Sequence, residues 1–382
     1  MANVLIAGDY SPRARVADAL NNGREKQLFA GIDNIINSVD YSIVNFETVV
    51  VEKNMLPISK FGPNLKCSSN AVSALKRAGF DCVTLANNHF RDYGDEGVMK
   101  SLELFKTEGL DYVGGGMNIE EAEKILYKKF SDGTLAIINV CENEFSIATS
   151  KQAGSAPLDT IKVVRQIKLA RKEADSVLII VHGGHEHYQL PSPRMKELYR
   201  FFIEEGADAV INHHQHCYSG YEVYKEKPIF YGLGNFLFDH PRQRNSTWNE
   251  GYMVVLDFSS STVRFEIIPY IQCNEEPIVR LMDSHEKELF DNNINRLNSI
   301  IVDPENRLEE EMERYYKEKQ RAVLGVFTPY MNEYVRAAAS RHWLPYLLPK
   351  KKILAMINYI SCESQRDVTL GFFQYFVNNT QK

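Results

Sequence analysis

The chain has 382 residues, of which 44% are hydrophobic and 25% are charged, and this balance is typical of a globular protein. Its length suits one large domain with a smaller one beside it. The net charge of -6 gives no basic field that would attract nucleic acid, so the composition argues against nucleic-acid binding.

The cysteines and the N-terminal segment predict the compartment. Six cysteines are widely spread without a C-x-x-C pair, which fits neither a disulfide framework nor a zinc ribbon. The first residues, MANVLIAGDY, lead directly into a strand-like run and lack the regions of a signal peptide. No run approaches the roughly 18 apolar residues of a membrane span. We therefore expect a cytoplasmic protein with no transmembrane segment.

From Ala2 to about residue 270, short runs rich in Val and Ile alternate with helical stretches. The predicted strands are NVLIAG, YSIVNFE, DCVTLANN, LAIINV, SVLIIVHGG, ADAVINHH, KPIFYGLGNF and MVVLDF. Candidate helices lie at 70–80, 95–109 and 192–206, and the last two end in glycine, a common helix stop. Such alternation predicts an α/β layered domain.

The composition changes after about residue 275, where long charged segments have a helical period. Helices are predicted at 285–301, 305–327, 329–343 and 350–362. We therefore divide the chain into a domain at 1–272 and a helical C-terminal extension at 273–382. The stretch 341–354 combines aromatic residues, leucines and lysines, so it is either a contact with a membrane surface or partner, or a core helix with solvated lysines.

Polar side chains that bind metals collect at the ends of the predicted strands. In open α/β sheets, ligands bind at the carboxyl ends of the strands, where segments distant in sequence meet. The residues expected to converge there are Asp9, Glu47, Asn88, His89, His182, His214 and His216.

This mixture of carboxylate, carboxamide and imidazole suits a pair of divalent cations. Two cations about 3.5–4 Å apart need a bridging carboxylate together with neutral nitrogen and oxygen donors. On an extended segment, His214 and His216 point the same way and reach one metal pair. His213 is then expected to point to the opposite face, as a packing or hydrogen-bonding residue.

Five motifs occur in an order that resembles a known family. They are GD at 8–9, NFE at 45–47, LANNHFRDYG at 85–94, HGGHEHY at 182–188, and HQH at 214–216 followed by YGLGNFLFD at 231–239. The sequence is similar, over roughly residues 2–270, to the bacterial capsule-synthesis (CapA-type, poly-γ-glutamate synthesis) family. That family is similar to the calcineurin-like metallophosphoesterases. The resemblance implies an α/β fold in which two β-sheets lie between helices (αββα).

The resemblance also implies roles for the residues at the strand ends. Asp9 matches the metal ligand of the first motif, Glu47 matches the bridging carboxylate, and His216 matches a ligand of one cation. The ligands of the other cation are implied to be Asn88, His182 and His214. His89 matches the histidine that protonates the leaving group, a role that suits an imidazole beside the metals. One or two divalent ions, with Mn, Fe or Zn all admissible, are therefore expected.

Ser11 and Gly183 are among the positions that depart from the usual phosphoesterase motifs. Ser11 stands where the first motif, Asp-x-His, has its histidine, so one cation is expected to be held more weakly or to be missing. Gly183 stands where a tryptophan is usual, and we expect it to open the wall of the pocket.

Four further residues are candidates for catalysis or substrate binding. Glu186 matches a family glutamate and either recognises an amine, acts as an acid/base or orients His182. Arg13 is either a ligand for a substrate anion or a surface arginine. Asp92 is assigned to the substrate site, or else to holding its turn or His89. Residue Asn235 is either a donor to substrate or a turn residue.

The leading functional hypothesis is a metal-dependent phosphoesterase linked to capsule, exopolysaccharide or poly-γ-glutamate biosynthesis. The expected substrates are a glycan, a polyglutamate, or a phosphorylated small-molecule or lipid-linked intermediate. One alternative is an amide hydrolase or transferase on poly-γ-glutamate-like polymers. Another is a non-catalytic assembly factor that contacts a synthase complex or a membrane surface through the C-terminal helices.

Overall fold

The computed structural model describes residues 2–259, 262–327 and 349–380. Its strands are β1 (Asn3–Tyr10), β2 (Tyr41–Phe46), β3 (Cys82–Thr84), β4 (Asp111–Val113), β5 (Gly115–Gly116), β6 (Leu126–Phe130), β7 (Gly133–Cys141), β8 (Gly154–Ser155), β9 (Ser176–His182), β10 (Ala209–His213), β11 (Tyr221–Tyr224), β12 (Lys227–Phe230), β13 (Asn235–Leu237), β14 (Glu250–Asp257), β15 (Arg264–Gln272) and β16 (Val279–Leu281).

The helices follow the same order along the chain. They are α1 (Arg15–Asn21), α2 (Glu25–Phe29), α3 (Asp33–Ile36), α4 (Asn70–Ala78), α5 (Gly94–Glu108), α6 (Ile119–Ala122), α7 (Thr160–Glu173), α8 (Pro193–Glu204), α9 (Ser284–Val302), α10 (Arg307–Phe327), α11 (Lys350–Ser361) and α12 (Glu363–Thr380). A 3₁₀ turn covers Thr247–Asn249. The glycine stop predicted for α5 is confirmed, since Gly109 has a left-handed φ of 69°.

Two sheets carry the site. The first sheet has the order β16-β15-β14-β1-β2-β3-β4, and the second has the order β11-β12-β10-β9-β7-β6. Strands β1 to β4 run parallel, as do β7, β9, β10 and β12. The carboxyl ends of the parallel strands therefore collect at one edge of each sheet.

Alternate residues of β1 show how the layers pack. Val4 and Ile6 lie in the apolar cluster that contains Ile138, Ile179 and other residues of the second sheet. By contrast, Leu5 and Ala7 belong to the cluster that contains residues of helices α1, α4 and α5. Because side chains alternate along a strand, the first sheet faces the second sheet on one side and helices on the other. The predicted α/β fold with two sheets between helices is confirmed.

One predicted strand was wrong. The run KPIFYGLGNF forms two short strands, β12 in the second sheet and β13, which pairs with β1 of the first sheet. Gly234 between them has a φ of 81°, and its backbone carbonyl accepts a hydrogen bond from Asp9 N–H at 3.1 Å. The segment thus crosses from one sheet to the other beside the end of β1.

The C-terminal helices pack onto the two-sheet domain. Helix α9 begins with a capping box between Asp283 and Glu286 and buries Phe290 and Leu297 against the second sheet. Helix α12 was not predicted, because Gly371 and its aromatic run have weak helical propensity. Its residues Val368 and Phe372 pack against α10, which stabilises it.

Strand β16 lies beyond residue 272, and the domain division at that residue stays a prediction. The predicted helix at 329–343, and residues 341–348 of the stretch 341–354, lie outside the described residues. Across the three described ranges, no helix has both the length and the apolar character needed to cross a bilayer.

Candidate metal centre

The structure brings the predicted metal ligands together at the ends of the parallel strands. Asp9 lies at the end of β1, and His182 ends β9. Two groups of three side chains each have ligand atoms that all lie within 4.8 Å of one another. One group is Glu47, His182 and His214, and the other is Asp9, Glu47 and His216. Glu47 belongs to both groups, in the position expected of a bridging carboxylate.

The carboxamide of Asn88 joins the first group. Its Oδ1 lies 3.1 Å from His182 Nε2, and His214 Nδ1 lies at the same distance from that nitrogen. Glu47 Oε1 is 3.6 Å away. Oxygen and imidazole nitrogen donors of this kind fit Mn²⁺, Fe or Zn²⁺.

Glu47 provides the test of whether the residues fit a cation. Its side chain is fully buried, and neither carboxylate oxygen has a hydrogen-bond partner in the described structure. Three imidazole nitrogens surround Oε1 at 3.6–3.9 Å, those of His89, His182 and His216. A buried carboxylate without partners is costly, and a cation is the group that would satisfy it. The residues therefore fit a divalent metal.

Two carboxamides hold the second group. Asn45 Nδ2 donates to Asp9 Oδ1 at 2.7 Å, which leaves Oδ2 facing His216 Nδ1 at 3.7 Å. The carboxamide Oδ1 of Asn235 lies 3.0 Å from His216 Nδ1, while its Nδ2 donates to the His216 carbonyl. With Nδ1 engaged there, His216 presents Nε2 toward Glu47. Asn235 thus contacts the predicted ligand His216 and is not among the residues that line the cavity beside it.

The pKa shifts show what burial does to these groups without a cation. Burial raises the pKa of Asp9 to about 6, and burial and the charge of Asp9 raise the pKa of Glu47 well above its usual value. Burial lowers the pKa of His216 to about 3, and burial and the charge of His214 lower the pKa of His182 well below its usual value. A bound cation would favour the ionised carboxylates and the neutral imidazoles.

His89 lies beside the predicted metal ligands, and Asp92 contacts the ring nitrogen that faces away from them. Its Nδ1 is 2.6 Å from Asp92 Oδ2, which also accepts the Leu65 N–H at 2.6 Å. Asp92 is fully buried and forms an ion pair with Lys60, so its carboxylate points to His89 rather than into the pocket. The Nε2 atom of His89 lies 3.9 Å from Glu47 Oε1, on the side of the ligand cluster.

The remaining candidates lie farther out. Glu186 lines a cavity of about 270 Å³ that also contains Asn88, His89 and His214 on its walls. Arg13 lies in a neighbouring cleft that shares only Pro63 with this cavity. The structure thus brings Glu186 to the site and leaves Arg13 outside it.

The chain reaches the site by a turn rather than an extended strand. Strand β10 ends at His213, and His214 and His216 have left-handed φ values of 98° and 57°. The predicted position of His213 on the opposite face was therefore wrong, because alternation does not continue past the strand end. Its buried Nδ1 lies 3.4 Å from Asp9 Oδ1. An imidazole therefore lies beside Asp9, but it belongs to His213 and not to position 11, where the usual motif has its histidine.

The prediction that Gly183 opens the wall of the pocket was wrong. A β-carbon there would lie 2.8 Å from Glu142 Cγ, so Glu142 fills the space.

Sequence analysis also missed residues that shape the site. Glu144 Oε1 lies 4.0 Å from His214 Nε2, and burial raises the pKa of Glu144 to about 7. Lys60 comes from an irregular loop, where no periodic signal marks it. Only the NFE motif pointed to Asn45, through its neighbour Glu47.

His185 predicts acid sensitivity of the fold. It is buried against Tyr315, at a ring distance of 5.2 Å, and its Nε2 has no partner among the described residues. Burial lowers its pKa to about 4, whereas the unfolded chain takes up this proton near pH 6.5. The unfolding free energy it contributes is therefore present above pH 6.5 and is lost as the pH falls toward 4.

We expect His185→Phe, which keeps the ring packing, to remove about 2 kcal/mol of the stability that wild type loses between pH 7.5 and pH 5. Urea unfolding of both proteins at the two pH values measures this difference. Equal losses in wild type and variant would show that His185 is not the titrating group.

Curated proteins with similar sequences include two that are named CapA. The chain is 33% identical over 242 residues to the capsule biosynthesis protein CapA of Bacillus anthracis, covering 61% of this chain and 59% of that protein. It is also 33% identical over 248 residues to the PGA biosynthesis protein CapA of Bacillus subtilis (strain 168), covering 63% and 64%. The chain thus spans about three-fifths of the length of these curated relatives.

Among solved structures, a phosphatase from Mycoplasma pneumoniae covers 77% of this chain and 99% of its own, with a TM-score of 0.43 and 15% identity. A likeness at that level is silent on activity. The family model of the bacterial capsule synthesis protein PGA_cap matches residues 3–240. The chain belongs to the bacterial capsule synthesis protein PGA_cap family.

Proposed function

We propose that this protein is a metal-dependent hydrolase of the phosphoesterase type that acts in capsule, exopolysaccharide or poly-γ-glutamate production. The observation that carries the proposal is the Glu47 carboxylate, which is fully buried and unpartnered between two groups of metal donors. The family supports the biological setting, and the donor set supports the chemistry.

The proposed ligands of one cation are Glu47, Asn88, His182 and His214, and those of the other are Asp9, Glu47 and His216. When bound, such cations polarise a phosphoryl oxygen and make water a nucleophile at neutral pH. The smaller second group, without a histidine at Ser11, is the one expected to hold its ion more weakly.

His89 is the proposed proton donor to the departing oxygen. With Nδ1 protonated, His89 donates a hydrogen bond to Asp92 Oδ2 at 2.6 Å, which orients the ring so that Nε2 faces the site. That arrangement suits a general acid, because the carboxylate stabilises the charged imidazolium and the ring cannot rotate away. Glu144 and Glu186 line the same cavity and set its acidic side.

The proposed substrate is a phosphorylated glycan or lipid-linked intermediate, or a phosphorylated small molecule. The cavity of about 270 Å³ admits a small phosphoester or the end of a polymer, but not a folded chain segment. We propose the cytoplasm as the compartment, since all six cysteines are free and buried.

Metal analysis of the purified protein, paired with a screen of phosphodiesters and phosphomonoesters, tests the proposal. We expect about one to two metals per chain and metal-dependent turnover that Asp9→Ala and His214→Ala abolish. Cleavage of γ-glutamyl amides alone would favour amide hydrolysis. Less than about one metal per chain with no turnover would overturn the enzyme and favour an assembly factor.

A further inference from the structure

The catalytic cavity has an outer wall made by the C-terminal helices. Besides residues around the metal ligands, it is lined by Tyr315 and Lys319 of α10, Asn358 and Tyr359 of α11, and Gln365 and Val368 of α12. None of these residues falls within the segment 3–240 that the family model matches. The wall therefore adds chemistry that the family motifs do not describe.

The wall is attached to the two-sheet domain by partly buried polar contacts. Arg194 of α8 forms ion pairs with Glu142, at 2.6 Å, and with Asp367 of α12. Glu363, at the start of α12, accepts hydrogen bonds from the backbone and side chain of Asn143 at 3.0 Å and 2.6 Å. These contacts join the first part of α12 to the two-sheet domain beside the cavity.

Within the described residues, two side chains of the wall have a polar group without a hydrogen-bond or ion-pair partner. Asn358 is 8% exposed, and its Oδ1 has no hydrogen bond in the described structure. Lys319 lies with its ammonium 5.1 Å from the centre of the Tyr315 ring, and within the described ranges no carboxylate comes within 4.0 Å of it. Lys60, the other lysine of the cavity, is already paired with Asp92.

We propose that Lys319 and Asn358 form a substrate subsite for a second anionic group, a carboxylate or a phosphate, on the part of the phosphoester that points away from the metals. The ammonium supplies a positive charge on a partly desolvated wall, where an ion pair is stronger than at an open surface. The carboxamide supplies an acceptor for a hydroxyl or N–H next to that anion. The ligand class assumes the phosphoesterase chemistry proposed above.

Matched ligands test the subsite by calorimetric titration of the full-length protein, without requiring turnover. 3-Phosphoglycerate and glycerol 3-phosphate differ by one carboxylate, and glucose 1,6-bisphosphate and glucose 6-phosphate differ by one phosphate. We expect wild type to bind at least one of the doubly anionic ligands about tenfold tighter than its partner. The pair that shows the preference identifies the anion.

Lys319→Met should reduce this ratio to about one, and Asn358→Leu should weaken the doubly anionic ligand more than its partner. Lys317→Met is the matched control, since Lys317 is an exposed lysine of the same helix that does not line the cavity. It should keep the wild-type ratio. Equal binding within both pairs, or a ratio that Lys319→Met leaves unchanged, overturns the subsite, whereas absent turnover overturns only the proposed function.

Discussion

Glu47→Gln is expected to remove bound metal and metal-dependent turnover while making the metal-free protein more stable. Both donor groups include Glu47, so the substitution weakens both at once, and we expect metal content to fall at least about tenfold. Turnover should fall by about a thousandfold or more, since each cation contributes several kcal/mol to catalysis.

The stability change follows from the missing partners of this carboxylate. Burial raises the pKa of Glu47 well above that of the unfolded chain. As the pH rises past about 4.3, the unfolded state therefore loses its proton first, and the metal-free fold loses stability. A neutral glutamine removes this loss, so we expect a gain of at least about 1 kcal/mol at pH 7.5 in the presence of a chelator.

Glu222→Gln is the matched control, because Glu222 is also a buried glutamate but its carboxylate is fully engaged. It pairs with Arg200 and accepts a hydrogen bond from the Tyr231 hydroxyl at 2.7 Å. Breaking this pair should destabilise the fold by about 3 kcal/mol and leave metal content unchanged. Elemental analysis and urea unfolding of both variants measure the contrast. Unchanged metal content in Glu47→Gln would show that Glu47 bridges no cation.

The layered fold and the convergence of the ligands were accessible from the sequence, because both depend on local patterns. Buried parallel strands appear as continuous apolar runs, and the residue after each run lies at the same edge of the fold. Asp9, Glu47 and His182 follow such runs directly. Predicting that these residues lie close together required only the rule that parallel strands run in the same direction.

The sequence did not reveal contacts that join distant segments without a periodic signal. Asn143 and Glu363 are 220 residues apart, and nothing in either segment marks the other. Lys60 reaches Asp92 from an irregular loop, so neither a helical nor a strand period predicts it. The predicted direction of His213 failed for a related reason, since the left-handed backbone of His214 ends the alternation on which that direction was predicted.

His89→Asn is expected to slow hydrolysis of esters with alkoxide leaving groups by about a hundred- to a thousandfold, the usual contribution of a general acid. A p-nitrophenolate leaving group needs little protonation, so its ester should lose less than about tenfold. The asparagine keeps a polar side chain beside the ligands and leaves the cluster itself intact. Metal content should therefore match wild type.

Asp92→Asn also tests the assignment of His89 as the proton donor, by changing the residue that contacts its Nδ1 atom. Asp92 Oδ2 lies 2.6 Å from His89 Nδ1, so the amide removes the charge that stabilises the imidazolium without removing the histidine. We expect a loss of about ten- to a hundredfold for alkoxide leaving groups, and little loss for p-nitrophenolate. Steady-state rates on matched alkyl and p-nitrophenyl esters separate the two cases. If His89→Asn slowed both esters equally, His89 would act by holding the ligand cluster or the substrate, and the proton would reach the leaving oxygen from another group.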